Sequence, residues 1–241
     1  MSELKWLHTT QGFADSWGAE EILDWALHRF DGKIEMASGF GPEGMVLIDM
    51  AAQLRPDLRV FTLDTGLLFP ETYALMDEVE ERYGIQVERL APALSVEVQE
   101  REHGPALWTR DPDGCCAMRK IQPLRRKLAT LDAWITAIRR DQTRARAGAQ
   151  KVEWDPKFGL IKINPLCDWT TEMVWQYVRD NDVPYNPLHD EGFPSIGCWP
   201  CTRAVRPGED PRAGRWSGLG KTECGLHQGV PLTGPLPILQ K

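Results

Sequence analysis

Lys33-Ile34-Glu35-Met36-Ala37-Ser38-Gly39-Phe40-Gly41-Pro42-Glu43-Gly44 is the stretch on which the fold turns. Lys33–Ser38 reads as a short strand that ends in a glycine-rich turn. Pro42 suits the first turn of a helix running to about Leu54. The same unit recurs downstream: Leu58–Leu63 is an apolar strand ending at Asp64-Thr65-Gly66, and Pro70–Tyr83 reads as the helix after it. Gln86–Leu90 supplies a third strand and Ala133–Ile138 a later one, preceded by a helix over roughly 117–130. Strands alternating with helices need crossover connections. The pattern therefore predicts an α/β fold, a mostly parallel twisted sheet with helices on both faces. Such sheets bind ligands beyond the carboxyl ends of their strands, where Ser38-Gly39, Asp64-Thr65-Gly66 and Arg139-Arg140 fall.

Outward from this unit, residues 18–30 form an amphipathic pattern with Ile22, Leu23, Ala26, Leu27 and Phe30 on one face. Residues 151–154 and 160–163 resemble a hairpin, and 170–180 another helix. From Val183 onward proline mixes with glycine and charge, and no periodicity is visible. The expected organisation is a domain over 1–205 followed by a mobile C-terminal tail, 206–241, too poor in apolar residues for a core of its own. The 241 residues suit one domain, and no segment reaches the roughly 20 apolar residues of a membrane span. The N-terminus, Met-Ser-Glu-Leu-Lys-Trp-Leu-His, has no basic region before an apolar run, so the cytoplasm is the expected compartment.

Net charge is −7, which argues against a nucleic-acid partner. The distribution is uneven: residues 71–100 hold eight acids and two bases, whereas 101–151 hold twelve bases and five acids. A concentrated basic stretch in an acidic chain suits a small polyanion. It encloses Cys115-Cys116, and Cys198-Trp199-Pro200-Cys201 follows far along the chain. A lone C-x-x-C fits a redox dithiol, half a zinc site or half a cluster. Adjacent cysteines fit a zinc tetrahedron awkwardly, because structural zinc pairs leave two to four residues between ligands. A cubane cluster presents separate irons to neighbouring thiolates. The expected cofactor is a [4Fe-4S] cluster on Cys115, Cys116, Cys198 and Cys201, with zinc or plain structural thiols as the alternatives. Arg119 and Lys120, one helical turn beyond the pair, would offset its negative charge. Cys167 reads as a small buried hydrophobe.

These residues carry a resemblance. The chain resembles the assimilatory sulfonucleotide reductases, specifically the cluster-bearing adenylyl-sulfate (APS) reductases. The matching stretches are Leu63–Thr72, Cys115–Lys120, Ala133–Gln142, Pro194–Thr202 and Lys221–His227. The resemblance implies an adenine-nucleotide-binding sheet of the PP-loop kind, with APS as substrate and thioredoxin or a similar dithiol as donor. It implies that Cys224 is the nucleophile, with Lys120 and His227 assisting. It implies substrate contacts from Ser38, Gly39, Asp64, Thr65, Gly66, Thr136, Arg139, Arg140, Arg212 and Arg215. Related ATP-splitting enzymes carry a Ser-Gly-Gly-x-Asp-Ser loop, from which Ser38–Gly44 departs; Ala137 stands where the family's glycine is usual. Rival readings are a reductase of the 3′-phosphorylated nucleotide PAPS, an ATP-splitting thiolation enzyme, and a non-catalytic metal-bearing module. The sequence allows a homo-oligomer without requiring one.

Overall fold

The computed structural model describes residues 3–219, 221 and 223–226. Six strands make one sheet: β1 (Ile34–Ala37), β2 (Val60–Thr62), β3 (Val87–Arg89), β4 (Ala133–Ile135), β5 (Val152–Asp155) and β6 (Leu160–Ile163). Their order is β3-β2-β1-β4-β6-β5, parallel throughout except for β5, which runs antiparallel to β6. The expected parallel sheet is therefore present, and the expected hairpin forms its antiparallel edge.

Alternation along the strands divides the core. Val60, Ala133, Ile135, Ile161 and Ile163 face one hydrophobic cluster, whereas Phe61, Trp134 and Leu160 face another. The first is closed by α1 (Glu3–Ala14), α2 (Ala19–Arg29), α3 (Pro42–Leu54), α4 (Pro70–Tyr83) and α9 (Thr171–Asp180). The second is closed by Leu124 and Leu128 of α8 (Gln122–Leu128). Both faces are covered, as a parallel sheet requires. Pro42 and Pro70 open α3 and α4, where a missing N–H costs nothing, and Gly84 ends α4 at φ 64°.

Asp49 fastens three helices on the first face. Its buried carboxylate accepts from Gln53 Nε2 at 3.0 Å, Tyr83 Oη at 2.9 Å and Tyr177 Oη at 2.8 Å. Removing the acceptor strands three donors, two of them phenols. Asp49→Ala is expected to lower stability by about 2–4 kcal/mol, measured by urea unfolding followed by circular dichroism.

The predicted helix over 117–130 is interrupted. After the short α5 (Val96–His103), α6 (Leu107–Arg110) and α7 (Pro112–Cys116), a π-turn occupies Ala117–Ile121 before α8 begins. Gln122 N donates to Ala117 O, five residues back. The widened turn follows Cys115-Cys116 directly. It sends Arg119 to the interior, 3% exposed, and leaves Lys120 at a cavity wall.

Main-chain contacts cross the boundary that the sequence pattern marks at residue 205. Arg203 N donates to Gly214 O at 3.0 Å, Trp216 N to Cys201 O at 2.9 Å, and Trp216 is 3% exposed. The turn over 211–216 thus lies against the C-x-x-C loop. Among the described residues no helix is long and apolar enough to cross a membrane.

Candidate active site

A cleft of about 900 Å³ opens at the carboxyl ends of β1, β2 and β4, where β1 stands between neighbours reached by opposite crossovers. Ala37-Ser38-Gly39, Thr62-Leu63 and Thr136-Ala137 form its floor. Ser38 Oγ accepts from Phe40 N at 3.1 Å and holds the turn in which buried Phe40 takes φ 56°. A Cβ on Gly44 would come 2.6 Å from Ser38 Oγ, so the small residue there leaves the serine its place. Thr136 Oγ1 donates to Asn164 Oδ1 at 2.5 Å.

Beside the cleft, Cys115, Cys116, Cys198 and Cys201 line one small pocket with Arg119, Lys120 and Trp216. All four are free thiols. Burial pushes Cys115 up to about 11, and the charges of Cys116 and Cys198 add to it. Burial likewise raises Cys201 to about 11, followed by Cys198 and Cys116. Burial also disfavours the Cys198 anion, but Lys120, the Thr65 hydroxyl and Arg215 outweigh it and hold that thiol below its ordinary value. Among the described residues no three His, Cys, Asp or Glu side chains are arranged to hold a single metal ion. The donor set is nonetheless that of a thiolate-bound group: four reduced thiols from two distant segments, with two cations beside them.

Lys120 lines both the pocket and the cleft. Burial disfavours its cation, yet Cys198, Cys224 and Cys116 together raise its pKa above the ordinary lysine value. Arg215 reaches the cleft from the other side. Its Nη1 donates to Ser195 Oγ at 3.2 Å and Ile196 O at 3.0 Å, its guanidinium stacks 4.5 Å from the Trp216 ring, and its buried Nε meets no acceptor among the described residues. A Cβ at Gly197 would collide with this guanidinium. Neither Lys120 nor Arg215 pairs with a carboxylate among the described residues, and both line the cleft. Arg212 and Cys224 complete that wall.

Other expected contacts lie elsewhere. Asp64, Thr65 and Gly66 are outside the cleft lining. Asp64 Oδ1 accepts from Gly66 N at 2.9 Å and Tyr73 Oη at 2.6 Å, and Thr65 Oγ1 lies 3.3 Å from Cys198 Sγ. They brace the cysteine loop, with Arg119 Nε donating to Thr65 O at 2.6 Å. Arg139 lines the cleft but spends its donors on Glu43 (3.1 Å), Asp141 (2.7 Å) and Thr171 Oγ1 (3.0 Å). Arg140 turns away, its Nε donating to Ala149 O at 2.7 Å. His227 lies outside the described residues.

The cleft also holds Glu43, His189 and Arg146. Glu43 accepts from Arg139 and from Gln142 Nε2, the latter at 3.0 Å. His189 packs edge-on against Trp175 at 5.5 Å, and burial lowers its pKa. Arg146 belonged to the basic stretch, yet only its position in space marks it as a cleft residue.

A family model described as the phosphoadenosine phosphosulfate reductase domain matches residues 33–204. The adenosine 5′-phosphosulfate reductase of Salinibacter ruber is 48% identical over 211 residues, which cover 87% of this chain and 84% of that one. The phosphoadenosine 5′-phosphosulfate reductase of Gloeobacter violaceus is 48% identical over 225 residues, covering 91% and 93%. Among solved structures, the phosphoadenylyl-sulfate reductase of Candida auris in complex with phosphate superposes with a TM-score of 0.70 at 29% identity, covering 83% of this chain and 96% of that one. The Candida glabrata FMN adenylyltransferase shares the fold alone, with a TM-score of 0.58 at 12% identity, covering 80% and 69%. Because the family match runs from the first strand of the sheet to the C-x-x-C loop, and relatives sharing nearly half of its residues extend over most of the chain, this chain belongs to the phosphoadenosine phosphosulfate reductase domain family.

Proposed function

We propose that this chain is an oxidoreductase of sulfate assimilation that reduces APS to sulfite and AMP through a cysteine S-sulfonate. The observation that carries this reading is the meeting of Lys120, Arg215 and Cys224 in one cleft at the strand ends. Two cations without carboxylate partners among the described residues attract the phosphosulfate, and a thiol stands on the same wall. The Cys224 thiolate attacks the sulfur of APS. The S–O bond to the phosphate breaks, AMP leaves with that electron pair, and Cys224 carries –SO₃⁻. One thiolate of thioredoxin, or of a similar dithiol protein, then attacks the Cys224 sulfur and releases sulfite. Its second thiol resolves the mixed disulfide and returns Cys224 as a thiol, leaving the donor oxidised by two electrons.

Cys115, Cys116, Cys198 and Cys201 would hold a [4Fe-4S] cluster. Bound there, it would supply a concentrated negative charge next to Lys120. The chain's own part is to aim Lys120 from the π-turn into the cleft and to brace Cys198 through Thr65. The tail acts as the thiol carrier, and the cytoplasm is the compartment that suits free thiols.

Similar proteins are named as reductases of APS and of PAPS, which favours PAPS as the second reading. Sulfite release with thioredoxin present, compared by kcat/KM on the two nucleotides, tests both. APS is the expected preference, and a clear preference for PAPS overturns it. Anaerobically purified protein should contain iron and acid-labile sulfide in near-equal amounts; stoichiometric zinc would remove the cluster from the proposal.

A further inference from the structure

Glu223 is a buried carboxylate, 6% exposed, immediately before Cys224. Burying such a group is unfavourable by several kcal/mol unless it is paired and hydrogen-bonded. Both oxygens are. Oε1 accepts from Thr143 Oγ1 at 2.9 Å and Arg146 Nε at 3.2 Å, and Oε2 pairs with Arg146 Nη2 at 2.9 Å and Arg212 Nη2 at 3.4 Å. Burial opposes its ionisation, but Arg146, Arg212 and Thr143 hold its pKa below the usual carboxylate value.

These partners come from separate places. Thr143 and Arg146 belong to the turn after β4, and Arg212 to the turn that lies along the C-x-x-C loop. The next residue is Cys224, on the cleft wall. Two weaker ties flank it. Lys221 Nζ meets Asp113 Oδ1 at 2.5 Å, an exposed carboxylate, and Lys157 Nζ donates to Gly225 O.

We infer that Glu223 is a positioning residue: its buried clasp on Arg146 and Arg212 seats the Cys224 thiol in the cleft before any nucleotide arrives. The clasp also neutralises those two arginines in part, while Lys120 and Arg215 line the cleft with no carboxylate partner among the described residues. The catalytic consequence rests on the proposed role of Cys224; the seating of the thiol does not.

The test uses the full-length, cluster-loaded protein without nucleotide. The alkylation rate of Cys224 by iodoacetamide is followed by mass spectrometry of its peptide. Glu223→Gln is expected to raise that rate about tenfold or more, because it removes one partner of a buried pair. Arg146→Gln should do the same, the double variant should add little to either, and Glu223→Asp should recover part of the protection. In a single turnover with APS and no reductant, Glu223→Gln should form the Cys224 S-sulfonate about tenfold more slowly, with iron content unchanged and APS affinity no weaker, since Arg146 and Arg212 regain their charge in the cleft. Unchanged alkylation in both single variants overturns the inference. Loss of iron together with increased alkylation also overturns it, since the residue would then support the fold at large. Faster alkylation, with no S-sulfonate even in the unmodified protein, supports the seating while removing the nucleophile reading.

Discussion

Cys224→Ser is expected to reduce sulfite formation by about 10⁴-fold or more while leaving iron content and APS binding near those of the unmodified protein. Two features of the structure make the effect large. Cys224 is the only cysteine on the cleft wall among the described residues, the other four clustered thiols lining the adjoining pocket. Lys120 stands close enough to both to feel Cys224 and Cys198 together. A serine hydroxyl is far less acidic than a thiol. Any sulfate ester it formed would lack the sulfur that a dithiol donor must attack. Single-turnover incubation with sulfur-labelled APS and no reductant gives the direct measurement. Label should appear on the Cys224 peptide of the unmodified protein and on no peptide of the variant. Normal turnover by the serine variant, or label confined to Cys167 or a pocket cysteine, would refute the assignment.

Lys120→Met is expected to lower kcat/KM for APS by about 10²–10³-fold, the usual loss when one preorganised charge is removed from a developing anion. Methionine keeps most of the stem volume, so the change falls on the charge. Lys120 has no carboxylate partner among the described residues and lines both cavities, so its charge serves the thiols and the ligand at once. Arg215→Lys makes a useful comparison. It keeps a charge but loses the planar fork that reaches Ser195 and Ile196 and stacks on Trp216. Its loss should appear mainly in KM, whereas that of Lys120→Met should appear in kcat as well. A Lys120→Met protein with full iron content and kcat/KM within about threefold of the unmodified value would exclude a direct role.

Some of this was legible from residue order. Proline at the start of α3 and α4 and an apolar face spaced for a helix are local properties, and both helices span the residues the pattern indicates. The helices that the pattern missed lack those cues. In α5, Val96-Glu97-Val98 has the alternation of a strand, and only the Ser95 hydroxyl, accepting from Val98 N at 3.2 Å, marks the helix start. The π-turn after Cys116 has no sequence signature of its own. Its wider ring is set by where Arg119 and Lys120 find partners, one at Thr65 and the other at the cavity wall.

The chain's order of residues determined the sheet, because strand and helix periods are properties of neighbouring positions. It also determined which thiols come in pairs, since adjacency and C-x-x-C spacing are read directly. Tertiary structure alone decided which cations remain available to a ligand. Arg139 and Arg140 are neighbours in sequence, yet one is enclosed by Glu43, Asp141 and Thr171 and the other turns to Ala149. Arg146 is quenched by Glu223, 77 positions away, while Lys120 and Arg215 meet no carboxylate among the described residues. A charge acts through space, falling with distance and deepening with burial, so its availability depends on partners that sequence order does not bring together.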